Sequence, residues 1–313
     1  MLNTMPQSPD RAAALAAARA LPKAFVLGCA KSGTTWAQNI LAAHPQAAVA
    51  GEGAFAWRLA PLLVQAIKQF NEGQRACGQP DIATIDDHET IDLIRAAIEL
   101  RWARYVEASP AWRDGQRDRL RVVIDKTPQH TVGLRTLELA CPGARYIHMV
   151  RDPRDAAVSA WFHFGQSEGK PFEQFIAHYI GVVWPANIAQ ARRDSAAIAD
   201  RWLEVRYEQL LDDERRWGRA MLEHLNLQAD DETLARCLDA ASFRARSGGR
   251  ERGDEDRDSF YRRGVAGDWR EHIDPDLARR ACEPVATLMT ACGYAPNAVG
   301  AGPARPLASP PAA

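Results

Sequence analysis

Residues 24–36 read AFVLGCAKSGTTW, and this stretch decides the fold. Its apolar first half predicts a buried strand, and its second half predicts a tight turn that opens into a helix. The first backbone N–H groups of such a helix have no partner within it and converge on one point, which favours an anion. From Gly28 the spacing is that of a P-loop, with four residues before Gly33 and then Thr34 and Thr35.

The loop departs from the common P-loop in the place of its cation. A Walker A loop carries lysine directly after the second glycine, whereas Lys31 lies inside this loop and is followed by Ser32. The Walker lysine serves the β- and γ-phosphates beside a magnesium ion. We therefore expect this loop to hold a different anhydride group.

The pattern of strand, polar loop and helix occurs twice more. An apolar run at 122–124 leads into Asp125 and Lys126, and another at 146–150 leads into Arg151. This repetition predicts the α/β class: a doubly wound, mainly parallel central sheet with helices on both faces, similar to P-loop NTPases. Ligands of such sheets bind at the carboxyl ends of the strands, where these polar residues are expected.

One large domain is predicted over residues 23–295. Residues 1–22 form an N-terminal extension, and the Pro- and Ala-rich residues 296–313 are expected to be a disordered tail. Residues 244–263 are dense in charge and are expected to form a solvated, mobile loop.

Composition excludes several classes of function. A net charge of −1 gives no basic field for nucleic-acid binding. The six cysteines are scattered without a C-x-x-C pair, so neither a zinc site nor a disulfide framework is indicated, and a cytoplasmic location is expected. No run approaches the roughly 20 apolar residues of a membrane span. Nothing in the sequence indicates an oligomeric state.

Three motifs carry a resemblance to a known family. KSGTTW resembles the 5′-phosphosulfate loop of sulfotransferases, which take a sulfuryl group from 3′-phosphoadenosine 5′-phosphosulfate (PAPS). RDPRDAAVS, from Arg151 to Ser159, resembles the family's 3′-phosphate site. RRGVAGDW at 262–269 looks like the RKGxxGDW segment of the cytosolic sulfotransferases. The motifs stand in family order and extend over most of the chain.

The resemblance implies PAPS as co-substrate and no metal, because the single residual charge of the sulfate needs no bridging ion. Lys31 would neutralise the leaving oxygen, and Arg263 replaces the family's lysine. Trp36, Tyr207 and Phe243 match adenine-side positions. The implied PAPS-binding residues are Lys31, Ser32, Gly33, Thr34, Thr35, Trp36, Arg151, Ser159, Tyr207, Phe243, Arg262, Arg263 and Gly264.

The general base is open to two assignments. Cytosolic sulfotransferases use the histidine of a Lys-Thr-His segment, but here Lys126 and Thr127 are followed by Pro128. Glu52, in AGEG, lies at a distance from the loop that resembles that of the catalytic glutamate in tyrosylprotein sulfotransferases and some bacterial ones. His130, in DKTPQH, is the rival. We favour Glu52, and expect Lys126 to assist transfer as its counterpart does in heparan-type sulfotransferases.

The acceptor is expected to be a hydroxyl of a small molecule, lipid or glycan. Its pocket would be walled by segments near 53–70, 100–116 and 160–187, outside the motifs. Two other functions compete with sulfuryl transfer. A P-loop nucleotide kinase or phosphotransferase would use Asp125 as its Walker B carboxylate. A nucleotide-binding protein without catalysis would use the same loop.

Overall fold

The computed structural model describes residues 9–297 and contains one five-stranded sheet. The strands are β1 (Lys23–Gly28), β2 (Ala47–Ala50), β3 (Val122–Lys126), β4 (Arg145–Val150) and β5 (Trp202–Arg206). They lie in the order β2-β3-β1-β4-β5, and every pairing is parallel. The prediction of a doubly wound, parallel α/β sheet is confirmed.

Helices cover the sheet and extend beyond its edges. The α-helices are α1 (Pro9–Ala20), α2 (Thr34–Ala42), α3 (Ala60–Ala76), α4 (Asp87–Ala108), α5 (Pro110–Arg113), α6 (Leu134–Ala140), α7 (Pro153–His163), α8 (Phe172–His178), α9 (Trp184–Ser195), α10 (Tyr207–Asp212), α11 (Glu214–His224), α12 (Asp231–Ala241), α13 (Phe243–Arg246), α14 (Pro275–Cys282) and α15 (Ala286–Ala291). Two π-helical turns are Phe55–Leu59 and Tyr179–Val183. The 3₁₀ turns are Asp81–Ala83, Arg117–Arg119, Pro128–Val132, Gly165–Glu168, Ala196–Arg201, Asp268–Glu271 and Glu283–Val285. None of the helices within 9–297 has the length and apolar character to cross a membrane.

Alternation along β1 shows why helices pack on both faces of the sheet. Phe25 and Leu27 point into a core that includes side chains of α4 and α6. Ala24 and Val26 point into a second core, which α2, α11 and α12 complete. Fully burying one large apolar side chain stabilises the fold by about 1.5–3 kcal/mol, so neither face of this strand can stay open to water.

Helix α1 makes the N-terminal extension part of the folded unit. Ala14 and Ala18 of this helix are fully buried, and Arg19 pairs with Glu99 of α4 at 2.8 Å. Residues 1–8 of the predicted extension, and all but the first two residues of the tail predicted at 296–313, lie outside the described residues.

Candidate active site

The parallel sheet brings four charged side chains to one edge. Glu52 follows β2, Lys126 ends β3, Lys31 follows β1 and Arg151 follows β4. Because the strands are parallel, all four lie at their carboxyl ends. The strand order places them in the sequence Glu52, Lys126, Lys31, Arg151 across the sheet.

The loop between β1 and α2 forms the tight turn that its sequence predicts. Gly33 has a φ of 92°, and a Cβ at this position would lie 2.7 Å from the ring of Tyr207. Lys31 also has a positive φ, 67°, which is uncommon for a residue with a side chain. The hydroxyl of Ser32 is buried and has no hydrogen-bond partner among residues 9–297. A buried polar group of this kind is expected to find its partner in a ligand.

Arg151 connects the loop to the third motif. Its guanidinium donates to the carbonyl of Lys31 at 3.2 Å and to that of Val265 at 3.0 Å. It also lies 4.1 Å from the ring centre of Tyr207, while its Nε has no partner within the described part of the chain. The guanidinium is therefore held in place with one buried donor unused.

A carboxylate joins the second and third motifs. Asp155 accepts the backbone N–H groups of Gly267 and Trp269 at 2.6 and 2.9 Å. Arg262 and Arg263 both pair with Asp268, which is 5% exposed. These contacts hold the RRG segment beside the second motif, so motifs more than 100 residues apart form one wall.

A cavity of about 640 Å³ lies between the three motifs. Most of the predicted site residues line it: Lys31, Gly33, Thr34, Thr35, Trp36, Glu52, Lys126, Arg151, Ser159, Tyr207, Phe243, Arg262, Arg263 and Gly264. Two do not. Ser32 is buried within the loop, and His130 is buried behind β3.

The sequence reasoning missed several lining residues, among them Gln129, His163, Arg252 and Phe260. Arg252 lies 4.6 Å from the ring centre of Trp36, and Phe260 lies 4.2 Å from the ammonium of Lys31. Phe260 could have been found, because it is the first large apolar residue of the charged segment 244–263. Arg252 is one of many arginines in that run and carries no distinguishing signal.

The surroundings of Lys31 favour the binding of an anion. Burial lowers the pKa of its ammonium to about 8, and the nearby charges of Arg151, Lys126 and Arg262 act in the same direction. Burial and the charge of Lys31 also lower the pKa of His163. A cavity that disfavours its own positive charges gains stabilisation when negative charge enters it.

Glu52 is held at the end of the cavity by contacts to its side chain and to its loop. Its carboxylate accepts a hydrogen bond from the ammonium of Lys126 at 2.6 Å, and its side chain is 49% exposed. The following N–H, of Gly53, donates to the buried carboxylate of Asp125 at 2.7 Å. The hydroxyl of Tyr105 donates to the carbonyl of Gly51 and to Asp125 at 2.9 and 3.0 Å.

His130 is directed into the protein core. It is 0% exposed, its Nε2 lies 2.9 Å from Asp125, and its ring packs against Phe25 and Phe55. It shares Asp125 with the loop of Glu52 but does not border the cavity. An acceptor hydroxyl in the cavity cannot reach it, so this geometry argues against His130 as the general base.

Within residues 9–297, one group of three side chains has the spacing of metal ligands: Asp268, Glu271 and His272. Its carboxylates are already paired, because Arg263 contacts both Asp268 and Glu271 at 2.6 Å. These three residues lie outside the wall of the cavity.

Solved structures of known proteins are similar to this chain in fold. A mouse sulfotransferase, SULT7A1, whose crystal structure is a complex with PAP (3′-phosphoadenosine 5′-phosphate), is 18% identical and superimposes with a TM-score of 0.53 over 91% of this chain and 90% of its own. The sulfotransferase STF9 of Mycobacterium avium is 14% identical, with a TM-score of 0.46 over 92% and 88% of the two chains. The first of these similarities establishes the fold.

A curated relative from Aquifex aeolicus (strain VF5), described as an uncharacterized protein, is 26% identical over 219 residues. The match includes 67% of this chain but 26% of the relative, so the chain spans about a quarter of that protein's length. The sequence model of the sulfotransferase family matches residues 22–231, which is 210 of the 313 residues. The chain therefore belongs to the sulfotransferase family.

Proposed function

We propose that this sulfotransferase moves a sulfuryl group from PAPS to a hydroxyl of a small-molecule, lipid or glycan acceptor, without a metal. The observation that carries the proposal is the shared cavity. Lys31 and Arg151 come from loops after neighbouring strands and line it together. A kinase-type lysine after Gly33 is absent from the sequence, since Thr34 stands there.

The chain offers a separate set of residues for each end of the co-substrate. The loop N–H groups and the hydroxyls of Thr34 and Thr35 would hold the 5′-phosphate. Arg151, Ser159 and the RRG segment would hold the 3′-phosphate, since guanidinium groups form two parallel hydrogen bonds to phosphate oxygens. Trp36 and Phe243 would hold adenine between their rings. The unused donors of Ser32 and Arg151 are consistent with an anionic ligand.

PAPS supplies the sulfuryl group, and the protein positions and neutralises the reacting atoms. Glu52 would accept the proton of the acceptor hydroxyl while the oxygen of that hydroxyl forms a bond to sulfur. Lys31 would stabilise the negative charge that develops on the 5′-phosphate oxygen as the S–O bond breaks. Lys126 would orient Glu52, which it contacts at 2.6 Å, and neutralise the sulfuryl oxygens.

The variant Glu52→Gln tests the assignment of the base. We expect turnover to fall about a hundredfold or more, the usual contribution of a general base, with the Kd of PAP nearly unchanged. Glu173→Gln is the control, because Glu173 is exposed on α8 and does not border the cavity. Transfer of labelled sulfate from PAPS to an acceptor panel gives the rates. Nearly full turnover of Glu52→Gln would remove Glu52 from the mechanism.

Thermal unfolding separates sulfuryl transfer from nucleotide phosphotransfer. A ligand that binds only the native state raises the apparent stability. We expect PAP to raise the Tm more than magnesium-ATP at equal concentration. A larger shift with magnesium-ATP would favour the kinase. Stabilisation by PAP without any transfer of labelled sulfate would favour a non-catalytic binding protein.

A further inference from the structure

A second cleft opens on the other side of Glu52. It has a volume of about 320 Å³ and is lined by Ala50, Gly51, Glu52, Arg101, Arg104 and Tyr105. It lies between α4 and the carboxyl end of β2, which is an edge strand of the sheet. Glu52 borders both this cleft and the larger cavity.

Among the described residues, the two arginines of this cleft have no hydrogen-bond or ion-pair partner. Arg101 and Arg104 are exposed, one helical turn apart, and neither makes a hydrogen bond, ion pair or ring contact within residues 9–297. Glutamates on the same helix pair elsewhere: Glu99 with Arg19 and Glu107 with Arg11. Like charges at this spacing repel each other. In the described part of the chain, Arg101 and Arg104 also lack the ion pairs that neutralise Glu99 and Glu107.

The other polar groups of the cleft are already engaged. The hydroxyl of Tyr105 donates to Gly51 and Asp125, and Glu52 is paired with Lys126. The charged residues that line the cleft are therefore two arginines and one glutamate, whose carboxylate is already paired with an ammonium. Two arginines one helical turn apart offer guanidinium groups that match the oxygen atoms of a carboxylate, phosphate or sulfate.

We propose that this cleft binds an anionic group of the acceptor, so that the enzyme selects acceptors carrying a carboxylate, phosphate or sulfate near the hydroxyl that is sulfated. This inference rests on the proposed function, since it places the reacting hydroxyl at Glu52. A neutral acceptor would leave both arginines without a partner. An acceptor with a second anionic group would anchor there and direct its hydroxyl toward the larger cavity.

Matched phenols test the selectivity. The probes are 3-(4-hydroxyphenyl)propanoate, neutral 4-ethylphenol and cationic tyramine, with PAPS saturating. We expect the wild type to favour the propanoate in kcat/KM by about tenfold or more, as is reasonable for charge-assisted hydrogen bonds. Arg101→Ala/Arg104→Ala should abolish this preference by raising the KM of the propanoate alone. Arg135→Ala, an exposed arginine that borders neither cavity, is the control.

Calorimetry gives a measurement that does not depend on turnover. With PAP saturating the phosphate sites, titration of benzoate, phenyl phosphate or phenyl sulfate should show binding to the wild type and none to the double variant. A sulfated oligosaccharide and phosphatidylglycerol vesicles, tested as competitors, identify whether a glycan or a lipid carries the anion. Equal binding by both proteins, or equal kcat/KM for all three phenols, would overturn the inference.

The two proposals fail in different ways. If PAP does not bind and PAPS transfers no sulfate to any acceptor, the proposed function is wrong. If PAP binding and transfer are intact while anions bind the double variant as well as they bind the wild type, only the anionic subsite is wrong.

Discussion

Raising the pH from 7.5 to 9.5 should weaken the binding of PAP, because Lys31 loses its charge in this range. The pKa of this ammonium is lowered from 10.5 to about 8, first by burial and then by the charges of Arg151, Lys126 and Arg262. Bound PAP places negative charge beside the ammonium, which raises the pKa of Lys31 in the complex. Binding is therefore coupled to protonation of Lys31.

The size of the effect follows from the pKa. With a value of about 8, Lys31 is protonated in about 76% of molecules at pH 7.5 and in about 3% at pH 9.5. If only the protonated form binds well, the Kd rises about 25-fold, which corresponds to about 2 kcal/mol. Phosphate groups titrate near pH 6, so PAP itself stays fully charged across the range. The lowered pKa of His163 keeps that residue neutral there as well.

Isothermal titration calorimetry at constant ionic strength measures this dependence. Lys31→Met removes the titrating group, so its Kd should be higher at pH 7.5 and nearly independent of pH. Lys31→Arg keeps its charge to pH 9.5 and should also give a flat profile. A wild-type Kd that changes less than about threefold, with the circular dichroism spectrum unchanged, would refute the coupling between Lys31 and PAP.

Two further predictions concern buried carboxylates. Asp125→Ala leaves the N–H of Gly53 and the hydroxyl of Thr127 without their buried acceptor. We expect urea unfolding to show a loss of about 3 kcal/mol or more, and activity to fall with PAP affinity retained in the folded fraction. Burial raises the pKa of Glu208 to about 7, so the native state binds this proton more tightly than the unfolded state. Its contribution to the unfolding free energy should fall by about 3 kcal/mol as the pH rises from 4.5 to 7, measured as the difference between wild type and Glu208→Gln.

The strand pattern was enough to predict the sheet and the edge on which the site lies. An apolar run that ends in charged residues has one simple explanation in an α/β protein, namely a buried strand whose carboxyl end faces a ligand. β1, β3 and β4 each show it. The spatial order of the strands could not be read in this way, because it depends on how the crossover helices pack.

The orientation of His130 is a tertiary property that spacing could not supply. Lys126 and His130 are only four residues apart, yet Lys126 lines the cavity and His130 is fully buried. His130 lies within the 3₁₀ turn Pro128–Val132, and its ring is directed toward Asp125. A histidine can occupy either a buried position or a cavity-lining position. The sequence alone therefore could not show which of the two His130 occupies.

The charged segment 244–263 shows a limit of composition. Most of its side chains are exposed, as predicted. Arg250, however, donates to the carbonyls of Asp254, Tyr261 and Arg262, which folds the segment back on itself. Phe260 of this segment lines the cavity. Charges that pair within a loop and charges that face water give the same composition.

The order of strands in the sheet also suggests why the proposed reaction runs where it does. Across β2, β3, β1 and β4 the charged groups are Glu52, Lys126, Lys31 and Arg151. A transfer complex has the same linear order: acceptor hydroxyl, sulfuryl group, 5′-phosphate and 3′-phosphate. Neighbouring strands lie about 4.8 Å apart. Each part of an extended complex would therefore meet the loop after a different strand. The cleft of Arg101, next to β2, continues this line on the acceptor side, where the proposed anionic group of the acceptor would lie.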